Sequence, residues 1–178
     1  MPFELHSDRH MRGLSAEDEF AQLMQNDGYA VRKSSSHEDK RHHIDYHLSK
    51  GFEQMRVDVK ARKRVNGSFK DSLVWVEVQN EFGNGWLYAP RVTHFAFGIS
   101  SGFLLIPKAE LQLIVSEHYS NCKTVTNSSI EVERSPFTHC YRRPPRKYGN
   151  FKPLLRERTI LVDVEFIKEK ARLISHHA

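Results

Sequence analysis

The sequence predicts a mixed α/β fold in which helices pack on a mixed sheet. Three observations carry this. Residues 15–26 repeat apolar side chains at helical spacing, with Ala16, Phe20, Leu23 and Met24 on one face. Residues 43–48, 54–61 and 73–79 read as strands, and the last, Leu73-Val74-Trp75-Val76-Glu77-Val78-Gln79, alternates with period two. Beyond Pro107 the pattern returns to helix, strand and helix.

Each element has a local reason. Ser15 is placed to cap the first helix, with Asp18 in the capping-box position. Gly28 is placed to stop it. Tyr29-Ala30-Val31 reads as a short strand and residues 33–42 as a polar loop. Lys50-Gly51-Phe52 and Val65-Asn66-Gly67-Ser68 carry turn chemistry. Thr93–Ile99 and Phe103–Ile106 form a candidate hairpin around Ser100-Ser101-Gly102. Pro107 suits a helix start, and Leu111, Ile114 and Val115 give that helix an apolar stripe to about Tyr119. Ile130–Glu133 reads as an edge strand, residues 135–153 as irregular, and Thr159–Val162 as a strand. Asp163 is placed to cap a last helix carrying Phe166, Ile167, Ala171 and Ile174. The expected organisation is a flexible N-terminus over 1–12 and a single domain over 13–178, with its core in 13–119 and a C-terminal extension over 120–178.

Composition bounds the partners. Lys and Arg outnumber Asp and Glu by 27 to 22, a net charge of +5, which permits a nucleic-acid partner without requiring one. The cysteines, Cys122 and Cys140, form no CxxC and no disulfide framework. The N-terminal residues lack the apolar stretch of a signal peptide, and the most apolar region, 95–107, is too interrupted to span a bilayer. A cytoplasmic protein without a membrane partner is expected.

The chemistry-bearing pattern is acidic. Asp58 and Lys60 are two apart on one strand and project to one face, while Val57, Val59 and Ala61 face the other way. Asp45 lies on the strand before. Two carboxylates and an ammonium aimed at one spot can hold a divalent cation and activate a water, a combination suited to phosphodiester hydrolysis. Taken alone, Asp-x-Lys on a strand is also an ordinary surface ion pair, worth ~0–1 kcal/mol. Basic clusters at Arg62-Lys63-Arg64 and at Arg142, Arg143, Arg146 and Lys147 are candidate phosphate contacts, and also ordinary solvated loops. His43, Asp45 and His47 share a strand face, but a histidine metal site there is disfavoured against a polar groove.

With Gly13-Leu14-Ser15-Ala16-Glu17 on the first helix, Gly28-Tyr29-Ala30-Val31 after it, then Asp45, then Asp58-Val59-Lys60-Ala61-Arg62-Lys63, the chain resembles the PD-(D/E)xK nuclease superfamily, and within it the Holliday-junction resolvases most. The resemblance covers residues 13–79. It departs from the usual pattern in having Ile44 rather than Pro before Asp45, and Asp rather than Glu at position 58. It implies a restriction-endonuclease-like fold, a mixed central sheet flanked by helices. It implies a metal-dependent nuclease acting on duplex or branched DNA, with Mg²⁺ or Mn²⁺ on Asp45 and Asp58, assistance from Lys60 and Glu17, and a homodimer by analogy. Glu19 is the rival of Glu17, and Glu77 or Gln79 are candidates for lining the site. The alternative is a nucleic-acid-binding or interaction protein on the same fold without catalysis.

Overall fold

A computed structural model describes residues 4–65, 68–80, 82–120, 123–125, 139–142 and 157–175. The fold is mixed α/β, and its described residues group into two compact units, one drawn from 1–63, 91–107 and 171–178, the other from 64–90 and 108–170. The second unit takes residues from both sides of position 119, where a core and an extension were expected to meet.

The first unit begins with helix α1 (Glu4–Asn26), which starts well before the expected Ser15 cap and so includes much of the stretch read as loose. It ends where the Gly28 N–H reaches the Gln25 carbonyl at 2.9 Å and the Tyr29 N–H reaches Met24 at 3.0 Å. Strand β1 (Ala30–Lys33) follows. The expected polar loop over 33–42 is instead a helix, α2 (Ser36–His42). Ser35 and Glu38 form a complete capping box, and His43 closes the helix in the left-handed region at φ 54°. Strand β2 (Tyr46–Lys50) therefore starts later than the expected residue 43. It pairs antiparallel with β3 (Glu53–Lys60), Tyr46 opposite Val57 and His47 opposite Arg56.

Next in the sequence comes the alternating run read as a strand over 73–79. That run is a strand, but it lies in another sheet. The neighbour of β3 is β8 (His94–Ile99), parallel to it, with Asp58 beside Phe95 and Lys60 beside Phe97. Strand β9 (Gly102–Pro107) returns antiparallel to β8. Residues 172–175, expected at the end of the last helix, form the edge strand β13 (Arg172–Ser175) against β9. The six-stranded mixed sheet runs β1-β2-β3-β8-β9-β13. Its core face packs on α1: Phe20 and Met24 are fully buried in one cluster with Tyr46, Leu48, Met55, Val57 and Val59. Phe20 meets Phe103 edge-on at 5.3 Å.

In the second unit, β4 (Arg64–Val65) and β5 (Ser68–Phe69) form a short ladder. A five-stranded sheet runs β10-β11-β12-β6-β7. Its strands are β6 (Leu73–Asn80), β7 (Gly83–Asn84), β10 (Lys123–Val125), β11 (His139–Arg142) and β12 (Arg158–Asp163). Strand β11 corrects the irregular reading of 135–153 at those four residues, because it finds ladders on both sides, with β10 and β12. The edge strand expected over 130–133 lies outside the described residues. Helix α3 (Lys108–Tyr119) buries Leu111, Ile114 and Val115 as its stripe requires. Asp163 caps α4 (Val164–Lys168) by accepting from the Glu165 N–H at 2.8 Å.

Candidate active site

Three of the four expected side chains are carried by β3, which holds Asp58 and Lys60, and by the residue just before β2, Asp45. Strand alternation puts Val57 and Val59 against α1 and turns Asp58 and Lys60 to the opposite face. Asp58 is only 2% exposed, yet it is a carboxylate, so it needs a partner. Lys60 supplies one: its Nζ lies 2.6 Å from Asp58 Oδ1. Asp58 Oδ2 is buried with no hydrogen-bond partner. Burial pushes the Asp58 carboxyl up, against the pull of Lys60 and His43.

Asp45 arrives by a different route. The left-handed turn at His43 swings the chain away from β3. Asp45 keeps its backbone on the ladder, donating to the Val57 carbonyl at 2.9 Å. The next donor along β3, the Val59 N–H, goes to the Asp45 side chain instead, at 2.6 Å from Oδ2. The carboxylate is thus fixed by backbone, one residue from Asp58 and from Lys60. Burial first, then the Asp58 charge, push its pKa up from 3.8 to about 8, while the Val59 N–H and Lys60 pull the other way and Glu17 adds to the rise.

Glu17 reaches this group from α1. It is half-buried and pairs with Lys33 Nζ at 3.4 Å, and its charge is felt at Asp45. Glu19 is exposed and is not among the charges felt at Asp45. Of the two glutamates, Glu17 is the one whose charge acts on Asp45. His43, weighed from the sequence only as a disfavoured metal-binding histidine, also lies close to this pair. Its imidazole is held below the usual range by burial and by Lys60. The signal for it was in the sequence: a residue between a capped helix and the Asp45 strand must turn the chain.

Glu77 and Gln79 belong to β6 in the second unit. Arg62 is half-buried and Lys63 exposed, both in the first unit, whereas Arg64 begins the second and sits over the Phe69 ring at 4.3 Å. Arg142 ends β11, and Arg143, Arg146 and Lys147 lie outside the described residues. His47 engages Glu38 at 3.1 Å rather than the carboxylate pair.

Among the described residues no group of three or more His, Cys, Asp or Glu side chains is gathered to chelate a metal. The donor set is a pair. No protein-family model, curated protein or solved structure matches the chain. The reading of the site therefore rests on its own chemistry. Asp45, held on the Val59 N–H, and Asp58, the residue before Val59, are both disfavoured as anions, and Asp58 has an oxygen without a partner. A cation would relieve both at once. Mg²⁺ suits such a pair, because it keeps several waters and takes one or two carboxylates plus a substrate phosphate oxygen. No described helix is long and apolar enough to cross a membrane.

Proposed function

We propose that the protein is a metal-dependent nuclease that hydrolyses DNA phosphodiester bonds on a restriction-endonuclease-like fold. The observation that carries this reading is the pairing of Asp45, held on the Val59 N–H at 2.6 Å, with the adjoining Asp58–Lys60 ion pair, also at 2.6 Å. Asp45 and Asp58 would hold Mg²⁺ or Mn²⁺. The ion would supply a water of lowered pKa and offset charge building on the phosphoryl oxygens.

The residues divide the remaining work. Asp58 is buried and locked, so it fixes the position of charge rather than moving protons. Lys60 is 23% exposed and paired with Asp58, so its ammonium would be at hand for a phosphate bound beside the pair. There it stabilises negative charge or orients the attacking water. Glu17, acting through its field at Asp45 and its pairing with Lys33, is a positioning residue.

A second reading has its own support. The direct Asp58–Lys60 pair and the lack of a third described ligand also suit a DNA-binding or interaction protein that does not cut. Nicking of plasmid and branched DNA with Mg²⁺ or Mn²⁺ separates the two. Cleavage by the wild type that disappears in both Asp58→Ala and Lys60→Ala supports the nuclease. Binding without cleavage under every metal condition supports the alternative.

A further inference from the structure

The face of the first-unit sheet opposite α1 is not uniformly covered. Over β1, β2 and β3 it carries a groove of about 340 Å³ whose side chains include Arg32, His47, Ser49, Gln54 and Arg56. The register explains the grouping. Arg32 lies opposite His47, and His47 opposite Arg56, so the three form one row across three strands. Ser49 and Gln54 form the next row. Arg56 and Asp58 are two apart on β3 and share this face, so along the strand the cationic row lies about 6.8 Å from Asp58. That step is comparable to the spacing of successive phosphates on one strand.

The charge in the row is only partly neutralised. Glu38 lies at its β1 end, 3.9 Å from Arg32 and 3.1 Å from His47. Towards β3 the balance is positive. Arg56 donates its Nε to the Arg91 carbonyl, a neutral partner. Burial first, then the neighbouring Arg91 and Arg41 charges, hold the His42 imidazole below its usual range. Among the described residues Arg41, Arg56 and Arg91 have no carboxylate within ion-pair distance, although Arg and Asp or Glu are abundant in the chain. A row of polar donors ending on uncompensated guanidinium groups, beside a pair of carboxylates, fits an extended polyanion rather than a small anion.

We propose that this groove is the track for the DNA backbone, with Arg56 and Arg32 holding the phosphate one step from the Asp45–Asp58 site. The track rests on the nuclease reading only for what happens at its end. Affinity here comes from counterion release and is independent of base sequence.

The test measures binding of a labelled DNA duplex in EDTA, where no cutting occurs, across a series of salt concentrations. Arg56→Ala and Arg32→Ala are expected to weaken binding about three- to tenfold and to lower the slope of log K against log salt by about 1 each. Arg56→Lys keeps the charge and is expected to keep the slope. Gln54→Glu removes no contact and adds a negative charge in the groove, so it is expected to weaken binding even if an arginine variant folds poorly. Unchanged affinity and slope in Gln54→Glu and in the folded arginine variants overturn the track, whether or not the protein cuts. Weakened binding in these variants without cleavage in Mg²⁺ or Mn²⁺ supports the track and counts against the nuclease.

Discussion

Asp45 takes with its side chain the β3 hydrogen bond that a longer β2 would have taken with its backbone: the Val59 N–H donates to Asp45 Oδ2 at 2.6 Å. The β2–β3 ladder ends there because His43 turns the chain at φ 54°. The carboxylate is in this way built into the sheet. It cannot swing to solvent without leaving a strand donor unmet, at a cost of about 1–3 kcal/mol. A carboxylate held so firmly is preorganised, and it also keeps its unfavourable burial.

The metal-free protein should register that burial in its pH dependence. The folded-state pKa of Asp45 is raised to about 8 from an ordinary 3.8. The folded state therefore binds this proton more tightly than the unfolded state does. The stabilisation is complete below about pH 4 and is lost as pH rises through about 8. Urea unfolding in EDTA, compared between wild type and Asp45→Asn, isolates the group. The stability of the wild type relative to the variant should decline steadily between pH 5 and pH 8, taken as roughly the middle of that window. Parallel curves would refute the assignment.

Asp58 and Lys60 should respond unequally to removal. Lys60→Ala leaves a nearly buried carboxylate without its cation, whereas Asp58→Asn removes the charge that burial disfavours. The first should cost about 1–3 kcal/mol in the metal-free protein, the second less than about 1 kcal/mol. Activity should show no such asymmetry. Both variants should lose about 10²-fold or more in DNA cleavage, as removal of a charge-stabilising group does elsewhere. Equal stabilities with cleavage unchanged in both variants would mean that the pair is a structural bridge and not a site.

The Asp58-x-Lys60 half of this arrangement was legible because a strand has period two and the motif has the same period. Asp45 was legible by residue type but not by route, since nothing in the sequence says that a side chain will replace a ladder bond. Helix α2 escaped because it buries no residue, so it has no apolar stripe to find. Its one signal was Ser35 with Glu38, three apart, ahead of a polar run. Strand β6 was read correctly as a strand, but its place in a second sheet was not legible, because alternation marks a strand and not its neighbours. Strand β13 was read as helix because Ala171 and Ile174 continue the spacing of Phe166 and Ile167, and four residues are too few for alternation to compete. The Arg32–His47–Arg56 row could not be read at all without the register of three strands.

The docking of β13 gives a cleaner stability test than the core. Gly102 has φ 136°, and a Cβ there would lie 2.0 Å from the Ile174 carbonyl oxygen. Gly51 has φ 60° with open space around it. Gly51→Ala should cost about 1 kcal/mol, the backbone penalty alone. Gly102→Ala adds a clash with backbone that cannot rotate away, and should cost several-fold more. The measurement is thermal or urea unfolding of both variants, with amide exchange on β13. Similar costs for the two glycines would show that β13 is free to shift.

Helix α2 offers a last test because it connects a surface cap to the site. Ser35 accepts from the Glu38 N–H at 3.3 Å, and Glu38 returns to the Ser35 N–H at 3.0 Å. These bonds to Ser35 hold the Glu38 carboxyl at about 2, well below its usual range. The sign is opposite to that of Asp45. The cap contributes above the ordinary carboxylate range and is lost as pH falls towards about 2. At neutral pH Ser35→Ala should cost about 0.5–2 kcal/mol. Because α2 ends in the His43 turn that delivers Asp45, fraying of α2 should loosen the carboxylate as well. Ser35→Ala should therefore weaken Mn²⁺ binding, read by calorimetry, while a surface substitution of similar cost in the second unit should not. Equal metal affinity in the two variants would mean that the sheet alone holds Asp45.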